Sequence, residues 1–244
     1  MKTLIRTVAV VGAAILLCAC HFHLFQTPPA PRPWVLVTKV DGEPPGYHTY
    51  TYIIFGPPAE EADQKPAQIV RNQALLKAIA RTPSAAGAQA ETLSQANLFC
   101  FPAKSDNPGR GPGIDNYDPN LADVYRGNFD FRLRGGHRGR ILGIRLENGL
   151  GPFLITIAAP IGQTKDTDPL VVADLTATDP AKMAEVVAAY RQTPGEGGEG
   201  DNSTGNAQQI LQPLSEKLNK AGGNATFWIP GPFPIPHGGH GSPF

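Results

Sequence analysis

Residues 129–159 read FDFRLRGGHRGRILGIRLENGLGPFLITIAA, and the period assigned to this stretch decides the fold. Taken as strands, Phe129–Arg134 and Arg140–Leu146 flank a turn at Gly135-Gly136-His137-Arg138-Gly139. Leu142, Ile144 and Leu146 then share one face, as the two-residue period of a strand requires. Glu147-Asn148-Gly149 is a strong turn signal. Pro152–Ala159 follows, with Phe153, Ile155 and Ile157 on one face and Leu154 on the other. Three such strands in succession predict an antiparallel meander.

Downstream, Asp168-Pro169 introduces Leu170–Leu175, apolar on both sides and therefore expected to be a central strand. Asp179-Pro180 is a helix start, with Asp as N-cap and Pro at the first helical position. Met183, Val186, Val187 and Tyr190 then recur at i, i+3, i+4 and i+7, the stripe of a helix lying across a sheet. Residues 193–206 are a Gly/Glu-rich linker. Residues 207–220 predict a last helix, regular only from Pro213, because an interior proline removes a helical hydrogen bond. Phe227-Trp228-Ile229 could add a short strand, and residues 207–229 should pack on the domain. The segment 230–244 is a Pro/Gly-rich tail with His237 and His240, too few ligands for a metal site.

Upstream, Trp34–Val40 and Tyr47–Phe55 read as a hairpin around Asp41-Gly42-Glu43-Pro44-Pro45-Gly46. One face would be in the core. Tyr50 and Tyr52 would lie on an aromatic outer face, able to bind sugar or peptide, although cross-strand packing accounts for the same pair. Gln64–Arg81 carries a helical stripe through Ile69, Leu76 and Ile79, stopped by Thr82-Pro83. Residues 88–97 form a weaker, alanine-based helix that delivers Leu98–Phe101 into the core. The loop 103–120 carries Asp106, Asp115 and Asp118, which fit turn formation better than an EF-hand spacing. Residues 34–192 thus predict one α+β domain: a mainly antiparallel sheet of about five or six strands with helices packed on one face.

The N-terminus carries a separate message. Lys2 and Arg6 precede an apolar run, Thr7–Leu17, that is too short to span a bilayer, which takes about 20 residues. A charged start, a short apolar run and a small residue before the break make a secretory signal, residues 1–19. Leu17-Cys18-Ala19-Cys20 resembles the lipobox of bacterial lipoproteins, with an apolar residue three places before the cysteine and a small one directly before it. The resemblance covers the first twenty residues and implies lipidation at Cys20. His21, where the inner-membrane members of that class commonly carry Asp, implies the outer membrane, and the periplasmic face is the expected location. Residues 20–33 then form a proline-rich, extended tether.

Without residues 1–19 the chain has 19 Lys+Arg against 21 Asp+Glu, a balance that argues against a general nucleic-acid or anionic-membrane binder. Cys100, inside Leu98-Phe99-Cys100-Phe101, is then the one remaining thiol, expected to be buried and unpaired. Residues 126–145 hold six arginines against a single acid, Asp130. Arg132, Arg134, Arg138 and Arg140 around the glycine-rich turn could grip phosphate or carboxylate. An arginine-bearing solvent face is the plainer reading. No nucleophile elbow, phosphate loop, His-Glu-x-x-His or Cys-x-x-Cys occurs, and no cofactor is implied. The expectation is a lipid-anchored, non-enzymatic binding or scaffolding component of the envelope, acting on another envelope protein or on peptidoglycan. The competing class is an envelope hydrolase with a site assembled in space from His48 or His137 and an acid.

Overall fold

The computed structural model describes residues 33–82, 96–106, 111–134, 136–191 and 204–230, with the backbone alone at 136–138, 191 and 204–206. Residues 20–32 of the tether, Cys20 among them, the tail from 231 and the region of the expected helix from 88 to 95 lie outside the described residues. So do residue 192 and 193–203 of the expected linker; residues 204–206 already belong to a helix.

The strands are β1 (Trp34–Val37), β2 (Thr49–Ile54), β3 (Asn97–Pro102), β4 (Phe153–Ile157), β5 (Leu170–Asp174) and β6 (Ala225–Trp228). They form one mixed sheet in the order β1-β3-β2-β4-β5-β6. β1 and β2 both run parallel to β3, while the β2–β4, β4–β5 and β5–β6 pairings are antiparallel. The fold is α+β with a mainly antiparallel sheet. The first two strands are not a hairpin, however. β3 lies between them, with Trp34 opposite Phe99 and Thr49 opposite Asn97, so residues 38–48 are a crossover rather than a tight turn.

The helices are α1 (Gln64–Ala80), α2 (Pro119–Leu133), α3 (Gly136–Asn148), α4 (Met183–Arg191) and α5 (Thr204–Lys220). Residues 129–134 and 140–146 are therefore not strands of a meander. Asp118 caps α2, its side chain accepting from the N–H groups of Asn120 and Leu121, and Pro119 supplies the preset first turn. Leu121, Tyr125, Phe129 and Leu133 then repeat every fourth residue and are all buried. In α3, Leu142 and Leu146 are buried while Ile144 is 59% exposed. Positions 142 and 146 satisfy both a two-residue and a helical period. Position 144 separates the two, and it points outward.

This changes the layering. Ile53, Phe99, Leu154 and Val171 on one face of the sheet pack against α1, α4 and α5. Tyr52, Cys100, Ile155 and Val172 on the other pack against α2 and α3. Helices thus cover both faces rather than one. The reason is that β2, β4 and the start of β5 are apolar on both sides and have to be covered twice. Asp179 caps as expected, accepting from the Ala181 N–H ahead of α4, and Met183, Val186, Val187 and Tyr190 are buried. α5 does not begin at Pro213 but runs through it. Ala207, Leu211, Leu214 and Leu218 form one buried stripe, so packing outweighs the missing hydrogen bond.

Candidate interaction surface

α2 and α3 form a helical hairpin, and Gly139 sets how closely they meet. A Cβ there would strike the Leu133 carbonyl oxygen and come within 2.6 Å of Trp228 Cζ2. The Trp228 indole N–H also donates to the carbonyl of Arg132 at 3.4 Å, joining the hairpin to the edge strand β6. Residues 136–139 of the expected glycine-rich turn are therefore the start of α3, closely packed at Gly139.

The arginines of this hairpin separate by helical position. Arg132 lies on the core side and is 4% exposed. Its Nη2 donates to Thr164 Oγ1 at 2.5 Å, its Nε lies 4.0 Å from Asp166 Oδ1, and its guanidinium sits 5.9 Å from the Phe129 ring centroid. Burial lowers its pKa, opposed by the neighbouring Asp166 and Asp168 carboxylates and by Tyr52. A guanidinium held this way is internal to the fold and not offered to a ligand. Arg134 is exposed and donates from Nε (3.1 Å) and Nη2 (2.8 Å) to Asp130 Oδ2, four residues earlier. Arg126 pairs with Asp123 and donates to the Phe55 carbonyl at 2.8 Å. Arg140 and Arg145 are exposed and have no ion-pair partner among the described residues. The side chain of Arg138 lies outside the described residues, as does that of His137. Of the four arginines expected to act together, the structure thus places Arg132 inside and pairs Arg134. Arg140 stays outward, beside Arg145, which the sequence reading did not single out.

Tyr50 and Tyr52 are not an outer aromatic surface. They are 1% and 0% exposed, because α2 covers that face of β2. The Tyr52 ring lies 4.9 Å from that of Tyr125 and 5.3 Å from that of Phe129, centroid to centroid. Their hydroxyls hold down the β1–β2 crossover and the turn after β4. Tyr50 donates to the Pro44 carbonyl at 3.0 Å, and Tyr52 accepts from the Ile161 N–H at 2.9 Å. Tyr125 donates to Glu43 Oε1 at 2.9 Å. Glu43 is only 7% exposed, and its Oε2 has no hydrogen-bond partner. Nothing in Asp41-Gly42-Glu43-Pro44 marks that glutamate as buried; only Tyr125, 82 residues away, explains it. Burial raises the pKa of Tyr50, Tyr52 and Tyr125. Cys100, in β3, is buried and unpaired, and burial holds its thiol well above the usual range. A thiol so placed is not an activated nucleophile.

His48 is half-buried just before β2, its backbone N–H donating to the Ala96 carbonyl at 2.9 Å. Among the described residues no three His, Cys, Asp or Glu side chains converge as metal ligands. Among them, too, no helix is long and apolar enough to cross a membrane.

The outer face of the hairpin differs in character. Val124 is 48% exposed, Phe131 45%, Ile141 40% and Ile144 59%. Arg140 and Ile144, and likewise Ile141 and Arg145, are four residues apart in α3 and so stack in adjacent turns. This combination of outward aliphatic and guanidinium groups is the surface best suited to contact something outside the molecule. Comparison with family models, with curated proteins and with solved structures finds no match to the chain.

Proposed function

We propose that this protein is a lipid-anchored binding or scaffolding component of the bacterial outer membrane. Cys20 carries the anchor, the folded part faces the periplasm, and the partner is an envelope protein or peptidoglycan. The observation that carries the reading is Leu17-Cys18-Ala19-Cys20 at the end of a short apolar run that follows Lys2 and Arg6. Gln26-Thr27-Pro28-Pro29-Ala30-Pro31-Arg32-Pro33 supports it, as a stiff spacer between such an anchor and β1. A binding role is supported by the way the polar groups are used. The tyrosines, Arg132 and Cys100 serve the interior, while Arg140, Arg145 and their aliphatic neighbours face outward.

Intact-mass analysis and membrane fractionation of the native protein beside Cys20→Ala test this directly. The expected result is acyl mass on a mature chain starting at Cys20, with membrane association lost in the variant. An unlipidated native chain would sink the anchor.

A further inference from the structure

We infer that the outward face of α3, made by Arg140, Ile141, Ile144 and Arg145, docks on a membrane surface and binds the phosphates of anionic lipid headgroups. The inference rests on the envelope reading above, because the anchor is what brings this face within reach of a bilayer.

Four observations carry it. First, the fold does not bury Ile141 and Ile144. Leu142 and Leu146 supply the core contacts of α3, while these two isoleucines stand 40% and 59% exposed. Second, each has an arginine in the adjacent turn, Arg140 with Ile144 and Arg145 with Ile141. A helix that presents aliphatic side chains between guanidinium groups suits the boundary where lipid phosphate meets hydrocarbon. Third, positive charge is concentrated here. The stretch 126–145 holds six arginines and one acid, in a chain with equal numbers of Lys+Arg and Asp+Glu. Three of the six are paired or internal and the side chain of Arg138 lies outside the described residues; Arg140 and Arg145, exposed and with no ion-pair partner among the described residues, face an outside anion. Fourth, thirteen residues, His21 to Pro33, separate Cys20 from β1, and at ~3.1 Å per residue an anchor at Cys20 would keep the domain within about 40 Å of a bilayer.

A second copy of the chain fits less well. Across a twofold axis this face would set Arg140 and Arg145 against the same arginines. An acidic protein would satisfy the charges but would not by itself give Ile141 and Ile144 an apolar phase.

The experiment uses the full chain with Cys18→Ser, Cys20→Ser and Ile144→Cys, the new thiol carrying an environment-sensitive fluorophore. Cys100 is buried and does not compete for the label. A matched protein carries the label at Glu216→Cys, an exposed position on α5. Vesicles of phosphatidylethanolamine with phosphatidylglycerol should shift the emission at 144 to the blue and leave that at 216 unchanged. High salt should reverse the shift. Adding Arg140→Gln and Arg145→Gln should lower the docked-to-undocked ratio about 30-fold, from the usual contribution of a basic residue at an anionic surface. No shift at 144, an equal shift at 216, or an equal shift on phosphatidylcholine vesicles would overturn the proposal. A response to polyglutamate but not to vesicles would also overturn it and assign the face to an acidic protein. The anchor is read separately by intact mass. Docking at 144 with an unlipidated native chain would keep the headgroup site but remove the anchor that delivers it, whereas acyl mass at Cys20 with no shift at 144 removes this inference alone.

Discussion

Gly139 and Gly127 lie in adjacent helices and should respond to an added methyl group with opposite signs. At Gly139 a Cβ meets the Leu133 carbonyl and the Trp228 ring, with backbone on one side and a packed indole on the other. Gly139→Ala should therefore lose about 2 kcal/mol, a typical overpacking cost. At Gly127 a Cβ meets nothing within 4 Å, and the residue is inside α2. Gly127→Ala should gain up to about 1 kcal/mol from helix propensity alone. Urea midpoints of the two variants beside the parent check both signs. Loss at both positions would mean that α2 does not follow the described helix. Neither glycine shows its role in the sequence, since each occupies a glycine- and arginine-rich context. What distinguishes them is a tryptophan some ninety residues further along the chain, on β6.

Among the elements, α1 is tied to the loop that precedes it and to the loop before β4 by one buried side chain. Gln68 is 4% exposed; its amide N–H groups donate to the carbonyls of Pro57 and Leu150, both at 2.7 Å. Its Oε1 accepts from the Ala59 N–H at 2.9 Å. Gln68→Ala leaves these three backbone groups without this partner and should cost at least about 3 kcal/mol, since each such group costs roughly 1–3 kcal/mol. Gln68→Glu should not restore stability, because a carboxylate cannot donate to two carbonyl oxygens. Thermal or urea unfolding of the pair would show it, and recovery by Glu would refute the donor role. The α2–α3 hairpin shows why element type was only partly legible. Treating 129–134 and 140–146 as strands would bury Phe131 and Ile144, a local gain of about 2 kcal/mol for each. It would also break the four-residue stripe from Leu121 through Tyr125 and Phe129 to Leu133, and discard the Asp118 cap. The longer stripe wins. Asp118-Pro119 is the same start signal as Asp179-Pro180, and reading it as a loop residue pair concealed the helix.

At the scale of the whole molecule, the tyrosines link burial to pH. The chain has six, and burial raises the pKa of every one. The sign follows from proton binding. Above the unfolded value of about 10, an unfolded chain releases phenolic protons that the native fold retains. The stability they contribute is complete below about pH 10 and falls as pH rises beyond it. Ionisation measured by phenolate absorbance should therefore be delayed past the free-tyrosine range and coincide with loss of structure by circular dichroism. Tyr125→Phe should make the alkaline decline of the urea midpoint shallower, at the cost of the Glu43 hydrogen bond at neutral pH. Ordinary titration of most tyrosines near pH 10 in the folded protein would contradict their described burial.

What the sequence determined by itself rests on local physics. Asp179-Pro180 followed by an apolar repeat at i, i+3, i+4 and i+7 starts a helix, and a fully apolar run such as Leu170–Val172 makes a strand buried on both faces. α1, α4, β4, β5, the α+β class and the buried thiol of Cys100 were legible on that basis, although Ile69 of the expected α1 stripe is 42% exposed and the buried face runs instead through Gln68, Asn72, Leu75, Leu76 and Ile79. The tertiary structure alone decided that β3 separates β1 from β2, that helices cover both faces, that Tyr50 and Tyr52 are interior, and that Arg132 turns inward while Arg140 and Arg145 face out. Strand order and facing are set by contacts between residues far apart in the chain, such as Tyr52 with Phe129 and Glu43 with Tyr125. Their free energy depends on which surfaces meet, and that information is carried by no single segment.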